Sequence, residues 1–431
     1  MTRFRIAGAL MAFAAAANAF AQDGAQCPDS APGGVECRSG VDPHGAPYLL
    51  AVPRGWNGVL VVYARDGPDM KPPVAERVAD DFGRWTAFLK AGYAWAGTGY
   101  RHAGYDIPGA VEDLEAVRAL FAAHFGTPRR VVLHGQGWGG NVAARAIEVH
   151  PSAWDGALLT SGELAGGSRG EDFRMDLRVV YQYYCGNHPR PGEPAYPLWM
   201  GLPPGEAMSA ADVRVRFDEC TGSNLPADRR SPVQRRALAS IIAATRIPER
   251  TLPAHLAWGT LVFADMVKRL AGRNPFSTEG VRYSGTQDDA ALNAGVARYR
   301  PDPAALADLA AQSDPTGRIE APVLTLHGIG DPTAFVEHES AYAQVVEHAG
   351  NGERLAQVFT TQAEHRSLGS AEYSAALAAL VAWIDGGRRP TPADVAARCR
   401  DFLQRFEGES CRIDPGYRPP AWESRVYPRV R

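Results

Sequence analysis

The sequence predicts an α/β fold, a mostly parallel central β-sheet flanked by helices, and three observations support this. Seven short runs rich in β-branched and aromatic residues recur along the chain. Amphipathic stretches with apolar residues at three- and four-residue spacing separate most of these runs. The 431 residues are 45% hydrophobic and 22% charged, a globular composition long enough for one large domain or two ordinary ones.

The predicted strands begin at residue 47. They are 47–53 (PYLLAVP), 58–64 (GVLVVYA), 93–100 (YAWAGTGY), 129–135 (RRVVLHG), 155–162 (DGALLTSG), 321–328 (APVLTLHG) and 355–361 (LAQVFTT). Too few residues separate the first two strands for a crossover helix, so we expect these two to form an antiparallel hairpin at the edge of the sheet.

Helices are predicted between the strands and after the last one. They are 78–92, 111–126, 138–151, 335–350 and 373–387. Regular alternation stops near Leu164 and resumes near Arg318, and the stretch between is helical in pieces. We therefore expect a core formed by residues 47–164 and 318–388, an inserted helical cap at 165–317, and a tail at 389–431 that is rich in Pro and Arg.

The first 21 residues have the features of a secretory leader. Arg3 and Arg5 precede an apolar stretch of about a dozen residues, which is followed by Ala-Phe-Ala ending at Ala21. We predict cleavage after Ala21, so that the mature chain begins at Gln22. Because the apolar stretch is shorter than the ~20 residues that span a bilayer, we expect a secreted or periplasmic protein without a membrane anchor.

All six cysteines follow the predicted leader, and an even count in an exported chain indicates disulfides. Fifteen pairings are possible. The simplest joins sequence neighbours, which gives Cys27–Cys37 in an N-terminal segment at 22–46, Cys185–Cys220 in the cap and Cys399–Cys411 in the tail. No C-x-x-C or H-x-x-H spacing is present in the sequence, so we expect no metal and no other cofactor.

The charge pattern argues against a nucleic-acid partner. The net charge is −3, and no run of five or more like charges occurs. The expected partner is therefore a small or oligomeric substrate molecule.

A glycine-rich turn follows the strand at 129–135 and precedes a helical stretch. Its sequence is Gly135-Gln136-Gly137-Trp138-Gly139. A tight turn of this kind between strand and helix resembles the nucleophile elbow, G-x-S-x-G, of the α/β-hydrolase superfamily, and particularly of its exported bacterial esterases and peptidase-like members. The resemblance extends from about Pro47 to Gly387. It places Gly137 at the position where the superfamily has its serine.

The resemblance also implies the other catalytic residues, in the chain order nucleophile, acid, histidine. Asp331 follows the strand at 321–328, and His365 follows the strand at 355–361. Glu163 is the alternative acid. In such enzymes the histidine transfers protons, the acid orients the imidazole ring, and backbone N–H groups bind the oxyanion. Here those donors would be the N–H of Trp138 and one from the turn at Asp66. The implied activity is hydrolysis of carboxylic esters, or of amide and peptide bonds.

Gly137 has no side chain to attack a carbonyl carbon, and three explanations remain open. The chain is a Ser→Gly variant of an active hydrolase, a natural member that binds a ligand or partner without hydrolysing it, or an enzyme in which His365 activates water directly. The chain as written is expected to be inactive or weakly active in serine-type hydrolysis.

The glycines also match a dinucleotide-binding fingerprint, G-x-G-x-x-G, with Glu163 as the ribose-binding acid. That fingerprint normally lies in the first β-α-β unit of its domain. Three predicted strands precede it here, and the assignment leaves Asp331 and His365 without a role. We therefore prefer the α/β-hydrolase interpretation.

Overall fold

A computed structural model describes residues 27–431 of the chain. The predicted leader at 1–21 and its cleavage site lie outside the described residues. No helix within residues 27–431 is both long and apolar enough to cross a membrane.

Within the described residues, eight strands form one sheet. They are β1 Val35–Val41, β2 Pro47–Pro53, β3 Val59–Ala64, β4 Ala94–Thr98, β5 Arg130–Gln136, β6 Gly156–Thr160, β7 Val323–Gly328 and β8 Leu355–Thr360. Their order across the sheet is β1-β2-β4-β3-β5-β6-β7-β8. The pairs β1–β2 and β2–β4 are antiparallel, and every other neighbouring pair is parallel. The predicted mostly parallel sheet is confirmed.

The predicted hairpin of the first two strands is wrong. β2 pairs with β1 and β4, whereas β3 pairs in parallel with β4 and β5. The hairpin that exists joins β1 to β2, and in its turn Asp42 Oδ1 accepts hydrogen bonds from the N–H groups of His44 and Ala46 (both 2.8 Å). The prediction missed β1 because most of this edge strand, VECRSGV, is exposed or half-exposed and polar.

Helices cover both faces of the sheet. They are α1 Ala75–Arg84, α2 Thr86–Lys90, α3 Ile107–Phe125, α4 Trp138–Val149, α5 Gly167–Gly170, α6 Asp172–Cys185, α7 Ala210–Thr221, α8 Pro232–Thr245, α9 Leu252–Arg269, α10 Asp289–Gly295, α11 Pro303–Ser313, α12 His338–His348, α13 Ser370–Gly386 and α14 Pro392–Phe402.

The side chains of each strand contribute to two hydrophobic layers, one on each face of the sheet, because successive strand residues point to opposite faces. In β3, Leu60 and Val62 join the layer under α3, α4 and α12, while Val61 and Tyr63 join the layer under α1, α2, α13 and α14. Both layers hold fully buried side chains, so the central strands are apolar throughout.

The described chain between β6 and β7 contains helices α5 to α11 and no strand. Within it, Cys185 at the end of α6 is bonded to Cys220 near the end of α7. The other disulfides are Cys27–Cys37 and Cys399–Cys411. The C-terminal residues reach back to this insertion, where Arg429 forms an ion pair with Asp176 at 2.7 Å.

Candidate active site

The turn between β5 and α4 has an unusual backbone. Gly137 lies at φ 57° and ψ −124°, between the last residue of β5 and the first residue of α4. Residues with a side chain are strained in this region, and glycine is not. A Cβ atom at Gly139 would overlap the carbonyl oxygens of Ala64 and Arg65, so α4 approaches β3 closely here. The tight turn expected from the glycine pattern is therefore present.

Asp331 and His365 come together beside this turn. His365 Nδ1 lies 2.8 Å from Asp331 Oδ2. Asp331 is buried, and its Oδ1 accepts hydrogen bonds from the N–H groups of Thr333 (2.9 Å) and Ala334 (3.1 Å). These bonds fix the carboxylate, which in turn fixes the imidazole ring and directs Nε2 away from Asp331.

Asp66 lies in front of His365 Nε2, and the sequence analysis missed the role of its side chain. Oδ2 of Asp66 is 3.7 Å from His365 Nε2 and accepts a 2.7 Å hydrogen bond from Arg366 Nη1. Oδ1 accepts hydrogen bonds from the N–H of Gly67 (2.9 Å) and the N–H of Trp138 (3.2 Å). The carboxylate thus bridges the loop after β3, the start of α4 and the loop after β8.

The Asp66 carboxylate occupies the place of a side chain at position 137. A Cβ atom built on Gly137 would lie 2.7 Å from Cγ of Asp66 and closer still to Oδ1. The N–H of Trp138, expected to bind a substrate oxyanion, is bound to this carboxylate instead. The second N–H on the carboxylate is that of Gly67, which lies in the turn at Asp66 where the second oxyanion donor was expected.

Charge pairing shifts the pKa values of both groups. Burial lowers the pKa of His365, but the negative charges of Asp331 and Asp66 outweigh burial and raise it to about 10. Burial raises the pKa of Asp66, but the positive charges of His365 and Arg366 outweigh burial and lower it to about 2. At neutral pH the site therefore contains an imidazolium at His365 beside the ionised carboxylate of Asp66.

A charged cavity of about 380 Å³ adjoins Asp66. Its lining includes Arg65, Asp69, Arg77, Arg84 and Arg366. Such a cavity can admit a small polar substrate to the carboxylate.

The alternative acid, Glu163, lies in a different environment. It forms a buried ion pair with Arg174 at 2.6 Å. Arg174 Nε donates to His255 Nδ1 at 3.3 Å, and His255 Nε2 donates to the carbonyl oxygen of Pro332 at 3.0 Å. Burial, and then the charge of Arg174, lower the pKa of His255 to about 3, so His255 is neutral. Glu163 is thus connected to the loop of Asp331 through Arg174 and His255 of the helical insertion.

Two further histidines lie in the core. His327 is buried between Glu339 (2.9 Å) and the carbonyl oxygen of Ala334 (2.8 Å). His338 is fully buried and packs against Trp422. Within residues 27–431, no group of three or more His, Cys, Asp or Glu side chains could hold a metal ion.

Two signals in the sequence point to the missed residues. The resemblance implies that the loop containing Asp66 faces the elbow. The elbow has glycine in place of the serine hydroxyl, so the acidic side chain of Asp66 is a candidate to fill that space. Arg366 directly follows the candidate histidine. Neither signal alone identifies a contact, because Asp66 and Arg366 are 300 positions apart.

The strand order, the elbow after β5, and the acid and histidine after β7 and β8 together define an α/β-hydrolase fold. No protein-family profile matches the chain. An o-phthalyl amidase of Xanthobacter agilis is 33% identical over 119 residues. This alignment covers 27% of the present chain and about a quarter (25%) of the amidase.

Similar solved structures include feruloyl esterase B from Aspergillus oryzae, which is 13% identical in sequence and superposes with a TM-score of 0.43. The superposition covers 83% of this chain and 81% of the esterase. An esterase from Pyrobaculum calidifontis is 17% identical with a TM-score of 0.40, covering 83% of this chain and 86% of the esterase. Because these scores are low, the fold assignment rests on the strand order and on the positions of the elbow, Asp331 and His365.

Proposed function

We propose that this chain is a hydrolase of carboxylic esters, with amides as the near alternative, in which His365 transfers protons. The observation that carries this proposal is the 2.8 Å hydrogen bond between Asp331 and His365, which directs the free ring nitrogen toward the elbow. The similarity to the amidase over a quarter of its length agrees with hydrolysis of an acyl bond.

The protonation state of His365 sets the order of its proton transfers. With a pKa of about 10, the ring carries protons on both nitrogens at neutral pH. It can therefore first donate the Nε2 proton to the leaving group of the substrate. The neutral ring that results can then accept a proton from water at the same atom. Asp331 stabilises the charged form and keeps the ring in place.

Binding without catalysis is the second candidate function, and one observation favours it. The Asp66 carboxylate occupies the N–H of Trp138, which an α/β-hydrolase would offer to the substrate oxyanion. A site closed in this way would bind a ligand in the adjoining cavity without hydrolysing that ligand. Turnover distinguishes the two functions.

The test is hydrolysis of a series of p-nitrophenyl esters and p-nitroanilides by the purified protein. We expect His365→Ala to lower kcat/KM by ~10²–10⁴-fold, the usual contribution of a positioned proton-transfer group. Asp331→Asn should lower it as well, because the ring loses its charge partner. His348→Ala is the matched control, since His348 is an exposed histidine on α12. Wild-type rates equal to those of His365→Ala on every substrate would exclude hydrolysis and favour binding.

We also propose that the protein is exported and cleaved after Ala21, and that residues 165–317 form a cap over the site. Three disulfides support the first part, since they persist in oxidising compartments. Contacts of the insertion with the Asp331 loop, through His255 and Pro332, support the second. Mass spectrometry of the periplasmic protein tests the cleavage, because it should find Gln22 at the N-terminus.

A further inference from the structure

The two oxygen atoms of Asp66 have different surroundings. Oδ1 accepts from two backbone N–H groups, those of Gly67 and Trp138, and Trp138 is the first residue of the 12-residue helix α4. Two converging N–H groups at a helix N-terminus stabilise negative charge on an oxygen. Oδ2 faces the two cations, Arg366 at 2.7 Å and His365 at 3.7 Å.

The position of the carboxylate excludes any other nucleophile from the elbow. Because a Cβ atom at Gly137 would lie 2.7 Å from Asp66 Cγ, a side chain at 137 and the Asp66 carboxylate cannot share this space. Asp66 also borders the 380 Å³ cavity together with Arg366. An oxygen with lone pairs thus lies near His365 Nε2 and at the wall of a cavity, although the elbow has no hydroxyl.

We propose that the Asp66 carboxylate is the nucleophile of this site. The inference rests on the proposed ester hydrolysis and names the group that attacks. Oδ2 attacks the acyl carbon of the ester, and the bond from that carbon to the alcohol oxygen breaks. His365 gives its Nε2 proton to the departing oxygen, so the alcohol leaves neutral. The product on the protein is a mixed anhydride of Asp66 and the substrate acyl group.

Water resolves the anhydride in the second step. Neutral His365 takes a proton from water, and the hydroxide formed attacks Cγ of Asp66. The charge that develops on Oδ1 is held by the N–H groups of Gly67 and Trp138, which already bind that atom. The substrate leaves as a carboxylate, and Asp66, whose pKa is about 2, loses its proton to solvent. The net reaction is ester and water to carboxylate, alcohol and a proton.

This mechanism narrows the substrate class. A carboxylate of low basicity displaces only leaving groups that are themselves weakly basic. The expected substrates are therefore esters of acidic alcohols, such as phenyl esters, and not alkyl esters or amides. The two N–H groups are occupied in the first step, so the Arg366 guanidinium is the cation nearest to the oxyanion of the substrate.

The test is an isotope experiment on the unmodified protein. Wild-type protein turns over a p-nitrophenyl ester many times in H₂¹⁸O, is returned to ordinary water and is digested with trypsin. The peptide that begins at Asp66, after cleavage at Arg65, also contains Asp69. Fragment ions therefore report both aspartates in one spectrum. We expect one or two ¹⁸O atoms on Asp66 and none on Asp69, whose carboxylate is the internal control.

Two variants complete the experiment. Asp66→Asn removes the nucleophile and should lower kcat by ~10³-fold or more, as loss of a nucleophile does in covalent catalysis. Glu76→Gln, which removes an exposed carboxylate on α1 outside the lining of that cavity, should leave kcat unchanged. His365→Ala should leave Asp66 without ¹⁸O.

The outcomes separate the nucleophile from the proposed function. If the ester is hydrolysed in a His365-dependent way, ¹⁸O enters only the released acid and Asp66→Asn keeps the wild-type kcat, Asp66 is not the nucleophile, while the proposed hydrolysis stands. If the wild type hydrolyses no ester faster than His365→Ala and Asp66 carries no ¹⁸O, both are overturned. Labelling of Asp66 supports both.

Discussion

Replacing Gly137 with serine restores the elbow sequence of an α/β-hydrolase, yet we predict that this change alone fails. The new Cβ would lie 2.7 Å from Asp66 Cγ, whereas carbon atoms in contact are ~3.5–4.0 Å apart. Asp66 must therefore move by about 1 Å and lose good geometry to Trp138 N–H and Arg366. Removing Asp66 at the same time makes room, so Gly137→Ser with Asp66→Gly is the variant that should gain serine-type activity.

Two separate terms determine how much stability the serine variants lose. A non-glycine residue at φ 57° and ψ −124° costs ~1–3 kcal/mol of backbone strain in any variant with serine at this position. Disturbing the hydrogen bonds of a charged carboxylate costs a further ~1.5–3 kcal/mol each, and only where Asp66 is present. Because two such bonds are disturbed, the single and double variants should show a coupling free energy of about 3–6 kcal/mol.

Two assays measure this cycle. Urea denaturation of the four proteins gives the coupling free energy. Hydrolysis of p-nitrophenyl esters should rise ~10³-fold in the double variant relative to Gly137→Ser, on the order of what a complete triad adds to its remnants. His365→Ala in the double variant should abolish the gain. If Gly137→Ser alone is as stable and as active as the double variant, Asp66 does not occupy the space that we assign to it.

Three further predictions concern charge and cross-links. The pKa of His365 is raised to about 10 in the folded protein, whereas it is ~6.5 in the unfolded chain. The protonated ring therefore stabilises the fold fully below pH ~6.5, and this stabilisation is lost as the pH rises toward 10. The difference in free energy of unfolding between wild type and His365→Ala should shrink over that interval in urea titrations, and a constant difference would contradict the pKa. Arg174→Met leaves the buried Glu163 without its cation and should destabilise the fold by ~3–5 kcal/mol in the same assay, while a loss under 1 kcal/mol would refute this. Replacing Cys185 and Cys220 with alanine removes a disulfide that joins residues 35 positions apart, and the free energy of unfolding should fall by about 3–4 kcal/mol. The reduced wild type is the comparison.

Local patterns were sufficient for most of the sheet, and the resemblance to α/β-hydrolases then pointed to Asp331 and His365 after its last two strands. The parallel strands β3 to β8 are buried on both faces and read as apolar runs, and residues that follow such strands meet at one edge of the sheet. Edge strand β1 carries polar residues on its exposed side and gave no such signal. Its absence from the prediction led directly to the wrong hairpin, since β2 then lacked its true partner.

The Asp66 side chain could not be placed by the same reasoning. Its contacts join residue 66 to residues 138, 365 and 366, and no local periodicity encodes distances of that kind. Only the absence of a hydroxyl at Gly137 hinted that another group fills the elbow.

Asp66 also decides which proton transfer the Asp331–His365 pair can perform. The two carboxylates beside it raise the pKa of His365 to about 10. The ring therefore keeps its Nε2 proton at neutral pH and acts as an acid there. Without Asp66 only one carboxylate remains, so the pKa of His365 falls toward the neutral range in which a general base works best. A serine at position 137 needs such a base in its first step, whereas a carboxylate nucleophile is already ionised and first needs the acid, the neutral ring acting as a base on water only afterwards. Glycine at 137, aspartate at 66 and a protonated His365 are thus mutually consistent, and changing the first requires changing the second.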